Sequence, residues 1–118
     1  HAAGDQVLRR VVETGRSTLR SEDVIGRIGG DEFAVLLPST TLEQAAKVAE
    51  RLRSTYEQLA VPTRSGTVTF TVSCGVAEWK PHFQTVEELL QRADCALYMA
   101  KNAGRNCVRT EEACPGRS

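Results

Sequence analysis

A chain of 118 residues, 41% hydrophobic and 25% charged, has the size and composition of one small globular domain, which excludes a multidomain or disordered polypeptide. Fifteen basic residues balance fifteen acidic ones, so no long-range field draws it onto DNA, RNA or anionic lipid, and any phosphate site must be local. Apolar runs such as Phe33 to Leu37 fall far short of the ~20 residues a membrane-spanning helix needs, and no basic-then-apolar signal pattern is present, so the chain is expected to be soluble.

From Asp5 to about Leu19, Val7, Leu8, Val11, Val12 and Leu19 fall on one face of a helix. Val24 to Ile28 and Phe33 to Leu37 read as two short strands around Gly29-Gly30-Asp31-Glu32, a tight hairpin whose glycines can take the positive φ such turns need. Pro38-Ser39-Thr40 breaks the second strand. Thr41 with Gln44 then forms a capping box ahead of a helix carrying Leu42, Ala45, Ala49, Leu52, Tyr56 and Leu59. Val61 to Gly66 reads as a loop. Val68, Phe70, Val72, Cys74 and Val76 alternate with polar residues, the period of one half-buried strand. Thr85 with Glu88 caps a third helix that Gly104 ends, and Asn106 to Arg109 reads as a short last strand. The tail from Thr110 to Ser118 is polar and expected to fray. The order is that of an α+β fold, with helices covering a mainly antiparallel sheet.

The four cysteines, Cys74, Cys95, Cys107 and Cys114, form no C-x-x-C pair and have no histidine nearby, which argues against zinc. Cys74, Cys95 and Cys107 read as small buried thiols in a reducing cytoplasm, and Cys114 as free in the tail.

Chemistry concentrates in Gly29-Gly30-Asp31-Glu32-Phe33. Two glycines let a nucleotide approach the backbone, and two successive carboxylates offer hard oxygen ligands to Mg2+. An ordinary hairpin turn has the same composition. Four segments extend the pattern: His1-Ala2-Ala3-Gly4-Asp5, Arg27 to Phe33, Val72-Ser73-Cys74-Gly75-Val76-Ala77, and Ala93 to Lys101 followed by Gly104-Arg105-Asn106. In this order they resemble the GGDEF domain of bacterial diguanylate cyclases over nearly the whole chain. The resemblance implies a ferredoxin-like, nucleotidyl cyclase-like palm, and the condensation of two GTP molecules into cyclic di-GMP with release of pyrophosphate. Because one domain holds one GTP, it also implies a catalytic homodimer.

By the same resemblance Asp31 and Glu32 are the catalytic metal-binding acids, Gly29 and Gly30 line the nucleotide, and Asp5 reads the guanine edge. Lys101 and Arg105 bind the triphosphate. Phe33 reads as core and Asp94 as structural. Asp5 also suits the first turn of a helix, and Lys101 and Arg105 suit a helix C-terminus, on charge grounds alone. Arg20-Ser21-Glu22-Asp23 resembles the family's R-x-x-D inhibitory site for cyclic di-GMP, with five residues between Asp23 and Gly29. Arg51 aligns with a further arginine of that site, or is a solvated helix residue. An arginine can fork onto guanine O6 and N7 while a carboxylate accepts from the other edge of the base.

The family's opening strand and helix, with their D-x-D-x-F-K-x-x-N-D pattern, are absent ahead of His1. In the family that strand lies between Phe33 to Leu37 and Val68 to Val76. Its loss would leave backbone groups unpaired in mid-sheet, so the chain is expected to belong to a longer polypeptide or to borrow a strand from another chain, and to be inactive alone. The expected organisation is a GGDEF domain over residues 1–109 and a tail over 110–118, in a cytoplasmic bacterial protein with an upstream sensor or receiver domain; membrane tethering of the parent stays open. Two alternatives stand beside the cyclase: a non-catalytic cyclic di-GMP receptor using Arg20, Asp23 and Arg51, and a dimerisation module without nucleotide chemistry.

Overall fold

The computed structural model describes residues 2–115, with side chains from Gly4 onward. His1, the first residue of the resemblance, and the last three tail residues lie outside that range. Among the described residues no helix is long and apolar enough to cross a membrane.

The first helix, α1, spans Ala2–Thr18, starting three residues before the periodic stretch. Strand β1, Val24–Gly29, pairs antiparallel with β2, Glu32–Leu36. The turn is therefore just Gly30-Asp31. The register shifts between Arg27 and Gly29, a bulge that twists the tip, and Gly30 sits at φ +45°, where a Cβ would be unfavourable. Helix α2, Leu42–Glu57, and helix α3, Val86–Asn102, both start at the expected capping boxes: each threonine side chain accepts from the N3 backbone, and the N3 side chain accepts from the cap.

The chain between α2 and α3 differs from expectation. Val61 to Gly66 is not a loop but most of a hairpin, β3 Ala60–Thr63 with β4 Gly66–Thr69, turned at Arg64-Ser65. Thr63 Oγ1 ties the turn by donating to the Gly66 carbonyl at 2.6 Å and accepting from the Ser65 N–H at 3.1 Å. The single strand expected over Val68 to Val76 is split into β4 and β5, Cys74–Val76. Residues 70–73 carry no strand assignment, yet Phe70 and Val72 still pack inward as their alternation predicts. Strand β6, Val108–Thr110, runs parallel to β5, as the long crossover through α3 requires. The α+β architecture thus comprises two antiparallel pairs and one parallel pair, β1-β2, β3-β4 and β5-β6.

Two apolar clusters join the layers. Val11 of α1 with Leu52 and Tyr56 of α2 gathers Leu19, Phe33, Phe70 and Val72, which confirms Phe33 as core. Ala45, Ala49 and Val76 gather Leu37, Cys74 and Val108, seating α2 on β5 and β6. The Tyr56 hydroxyl donates to the Val11 carbonyl at 2.7 Å, and burial pushes its pKa up to about 12. On the other side α3 lies directly on β5: Ala96 and Ala100 are wholly buried, and Gly75 leaves no room for a Cβ beneath Ala93 and Leu97.

Over its described residues, up to Pro115, the tail does not fray after β6. Thr110 caps a 3-10 turn over Glu111–Ala113, and Cys114 is buried and disulfide-bonded to Cys95 of α3, so neither is the free thiol expected. Cys74 and Cys107 are free. Buried Glu111 anchors the turn, its carboxylate 3.4 Å from Arg92 Nε and 3.7 Å from Lys80 Nζ.

Candidate functional site

The Gly30-Asp31 turn puts two carboxylates side by side at a strand tip. Arg27 Nε donates to the Gly30 carbonyl at 2.7 Å, which fixes the turn from within the hairpin. Glu32, paired with Gly29, opens β2. Phe33 then anchors the strand in the core, so the tip is held from below and stays open above. Asp31 is exposed and Glu32 half-exposed.

The end of α3 comes to meet this tip. Lys101 Nζ lies 3.6 Å from Glu32 Oε2, bringing together residues from two motifs far apart in the chain. Both side chains remain partly open to solvent, so the pair is weak by itself and exchangeable. Arg105 follows just past the helix, exposed, in the left-handed region at φ +63°. Its backbone N–H donates to the Ala100 carbonyl at 3.0 Å.

The start of α1 completes the arrangement. A cleft of about 410 Å³ is lined by Gly4, Val7 and Leu8 of α1, Gly30 and Asp31 of the turn, and Val68 of β4. Its walls are mostly aliphatic, and Asp31 of the acidic tip forms part of its lining. Asp5 follows Gly4 in the exposed first turn of α1. Gln6 Oε1 is buried there without a hydrogen-bond partner among the described residues.

Among the described residues no three or more His, Cys, Asp or Glu side chains cluster to hold a metal ion. Two adjacent carboxylates nevertheless fit Mg2+, which keeps several waters and binds through one or two carboxylates together with substrate phosphates.

Arg20 and Asp23 are brought together, but closed on each other. Asp23 is almost wholly buried between α1 and β1. Its Oδ2 accepts from the Arg20 backbone at 2.8 Å and from Arg20 Nε at 3.2 Å, and its Oδ1 accepts from Arg20 Nη2 at 2.9 Å. Arg20 also donates to the Pro38 carbonyl and Thr40 Oγ1, and Arg16 donates to the Asp23 carbonyl at 2.6 Å. The Arg20 hydrogen bonds hold the Asp23 carboxyl below its usual range, against the opposing effect of desolvation. Arg51 is exposed on α2, and its side chain has no hydrogen bond or ion pair among the described residues.

One cluster has no counterpart in the sequence reading. Arg53 of α2 is mostly buried, donates to Glu50 at 2.9 and 2.6 Å and to Glu57 at 3.1 Å, and reaches Asn106 Oδ1 at 2.8 Å. Asn106 Nδ2 donates to Glu57 Oε2 at 2.8 Å, closing the ring. The hydrogen bond from Asn106 and the Arg53 pair keep the Glu57 carboxyl below its ordinary range. The signal the sequence offers for it is the helical spacing of Glu50, Arg53 and Glu57, which fits a solvated face equally well.

The chain is similar to known proteins over most of its length. The family model described as "Diguanylate cyclase, GGDEF domain" matches residues 1–107. Diguanylate cyclase DgcM of Escherichia coli (strain K12) is 43% identical over 108 residues, 92% of this chain; the chain spans only 25% of that protein's length. The crystal structure of diguanylate cyclase SiaD with its activator SiaC from Pseudomonas aeruginosa superposes at TM-score 0.85 with 39% identity, covering 93% of this chain and 42% of SiaD. The GGDEF domain of DgcB from Caulobacter crescentus, in complex with c-di-GMP, superposes at 0.83 with 33% identity over 96% of this chain and 67% of that one.

Proposed function

Since the chain belongs to the GGDEF domain family of diguanylate cyclases, we propose that it is the catalytic part of an enzyme that condenses two GTP molecules into cyclic di-GMP and two pyrophosphates. The observation that carries this reading is the Lys101–Glu32 contact, which joins the cationic end of α3 to the acidic hairpin tip. Each 3′-hydroxyl attacks the α-phosphate of the other nucleotide, a P–O bond forms, and pyrophosphate leaves. Two domains must face each other for this, so the working unit is a homodimer.

The chain's own residues orient and neutralise. Lys101 and Arg105 take the triphosphate; Lys101 thereby exchanges one anion for another, and the Glu32 carboxylate is released as phosphate arrives. Asp31 and Glu32 would hold Mg2+, whose contribution when bound is charge neutralisation at the phosphates. Gly29 and Gly30 leave the backbone accessible, and Asp5 accepts from the guanine N–H groups. Product feeds back at Arg20, Asp23 and Arg51, for which Arg20 must open from Asp23 toward the base. Incubating the full-length protein with GTP and Mg2+ and separating products by chromatography tests the reading. Cyclic di-GMP is expected; a folded protein that makes none at saturating GTP sinks it.

A further inference from the structure

The segment that presents Arg105 has an unusual backbone. Gly104, Arg105 and Asn106 are consecutive residues at φ +111°, +63° and +49°. Glycine and asparagine tolerate this region, whereas an arginine does so only when its surroundings impose it. Two backbone bonds contribute, Arg105 N–H to the Ala100 carbonyl at 3.0 Å and Asn106 N–H to Ser73 Oγ at 3.1 Å. The remaining hold is on the Asn106 amide, whose oxygen accepts from Arg53 Nη1 while its nitrogen donates to Glu57.

Arg53 is the hub of that hold. Its guanidinium bridges Glu50, Glu57 and Asn106 at once, and its side chain is only 15% exposed, so it is committed to the protein rather than available to a ligand. A planar fork with five donors can do this; a lysine ammonium in its place would lose the parallel bonds to Glu50. We propose that Arg53 is a positioning residue for the phosphate-binding end of α3. By clamping Asn106 it imposes the left-handed turn that directs Arg105 outward, one helical turn past Lys101. This rests on the reading of Lys101 and Arg105 as triphosphate ligands.

The test is a double-variant cycle on the full-length protein, with the dissociation constant of a non-hydrolysable GTP analogue plus Mg2+ read by calorimetry and the melting temperature recorded beside it. Arg53→Ala is expected to weaken binding about fivefold, a displaced side chain being the cause, and to add less than about twofold once Arg105 is already alanine. Asn106→Gly removes the same clamp from its other end, keeps a residue that tolerates φ +49°, and leaves the charges on α2 undisturbed. It should behave alike, and carries the comparison if Arg53→Ala does not fold. Equal weakening in both backgrounds, or none in a folded variant, overturns the proposal alone. A wild type that binds no analogue overturns the nucleotide reading as well, so the two failures are told apart.

Discussion

Replacing Gly75 with alanine tests how α3 is seated. A Cβ at this position would collide with the Ala93 carbonyl oxygen and the Leu97 nitrogen and lie 2.8 Å from Leu97 Cα. All three are backbone atoms of α3, so no rotamer change relieves the clash and the helix must lift off β5. Overpacking against backbone that cannot turn aside sits at the upper end of the usual range, about 3 kcal/mol, while the lower entropy of an alanine-containing unfolded chain returns ~0.5–1 kcal/mol, leaving a net loss of about 2 kcal/mol. At roughly 4 °C per kcal/mol for a domain of this size, the melting temperature should fall by about 8 °C. Because the lifted helix carries Lys101, turnover should fall more steeply than stability, by up to about a hundredfold for a displacement near 1 Å. Thermal unfolding by circular dichroism and cyclic di-GMP formation by the full-length protein are the readouts. A melting temperature within a degree of wild type would refute the packing described for β5 and α3.

Asp31→Ala and Glu32→Ala are expected to abolish turnover with an unchanged melting temperature, since the tip they occupy supports nothing beneath it; product formation near wild type would remove them from the site. Arg20→Ala should relieve inhibition by cyclic di-GMP and also lower stability, because Asp23, Pro38 and Thr40 lose their shared donor; unchanged inhibition contradicts the assigned role. The folded Asp23 carboxyl titrates below its unfolded value, so its stabilisation is complete above about pH 4 and fades as pH falls through the folded value. Urea midpoints of wild type and Asp23→Asn should therefore converge on acidification, and a gap independent of pH would contradict the argument. Peptide mapping without reductant should recover Cys95 joined to Cys114, while Cys74, whose thiol burial pushes up to about 11, should resist alkylation at pH 8 in the folded protein; rapid native labelling of Cys74 would show that it is not buried.

What could be read from the sequence was what short segments determine alone. The boxes at Thr41 and Gln44 and at Thr85 and Glu88 close within four residues, so both helix starts were visible. The hairpin at Gly30 announced itself through glycine. The second hairpin did not, because Pro62 resembles a breaker and the Arg64-Ser65 turn has no residue that favours positive φ. Alternation from Val68 to Val76 disclosed which side chains face inward, but not which strands supply backbone partners. Pairing at long separation was the general blind spot: Cys95 finds Cys114 only after the chain returns past β6, and Arg53 finds Asn106 across 53 residues. The family resemblance assigned Glu32 and Lys101 to one nucleotide site but did not pair them, and neither residue signals the other in the sequence.

The parallel pair β5 and β6 encloses α3 as a crossover, and the disulfide fastens the same helix to the turn beyond. Lys101 and Arg105 thus stand on an anvil. The acidic tip opposite is moored at its base, by Phe33 in the core and by Arg27 within the hairpin, and among the described residues its two carboxylates make a single ion pair, to Lys101. If the site closes on the proposed nucleotide, the hairpin is the side left to move, and differences in grip from one nucleotide to another should be sought in β1 and β2 rather than in the helix.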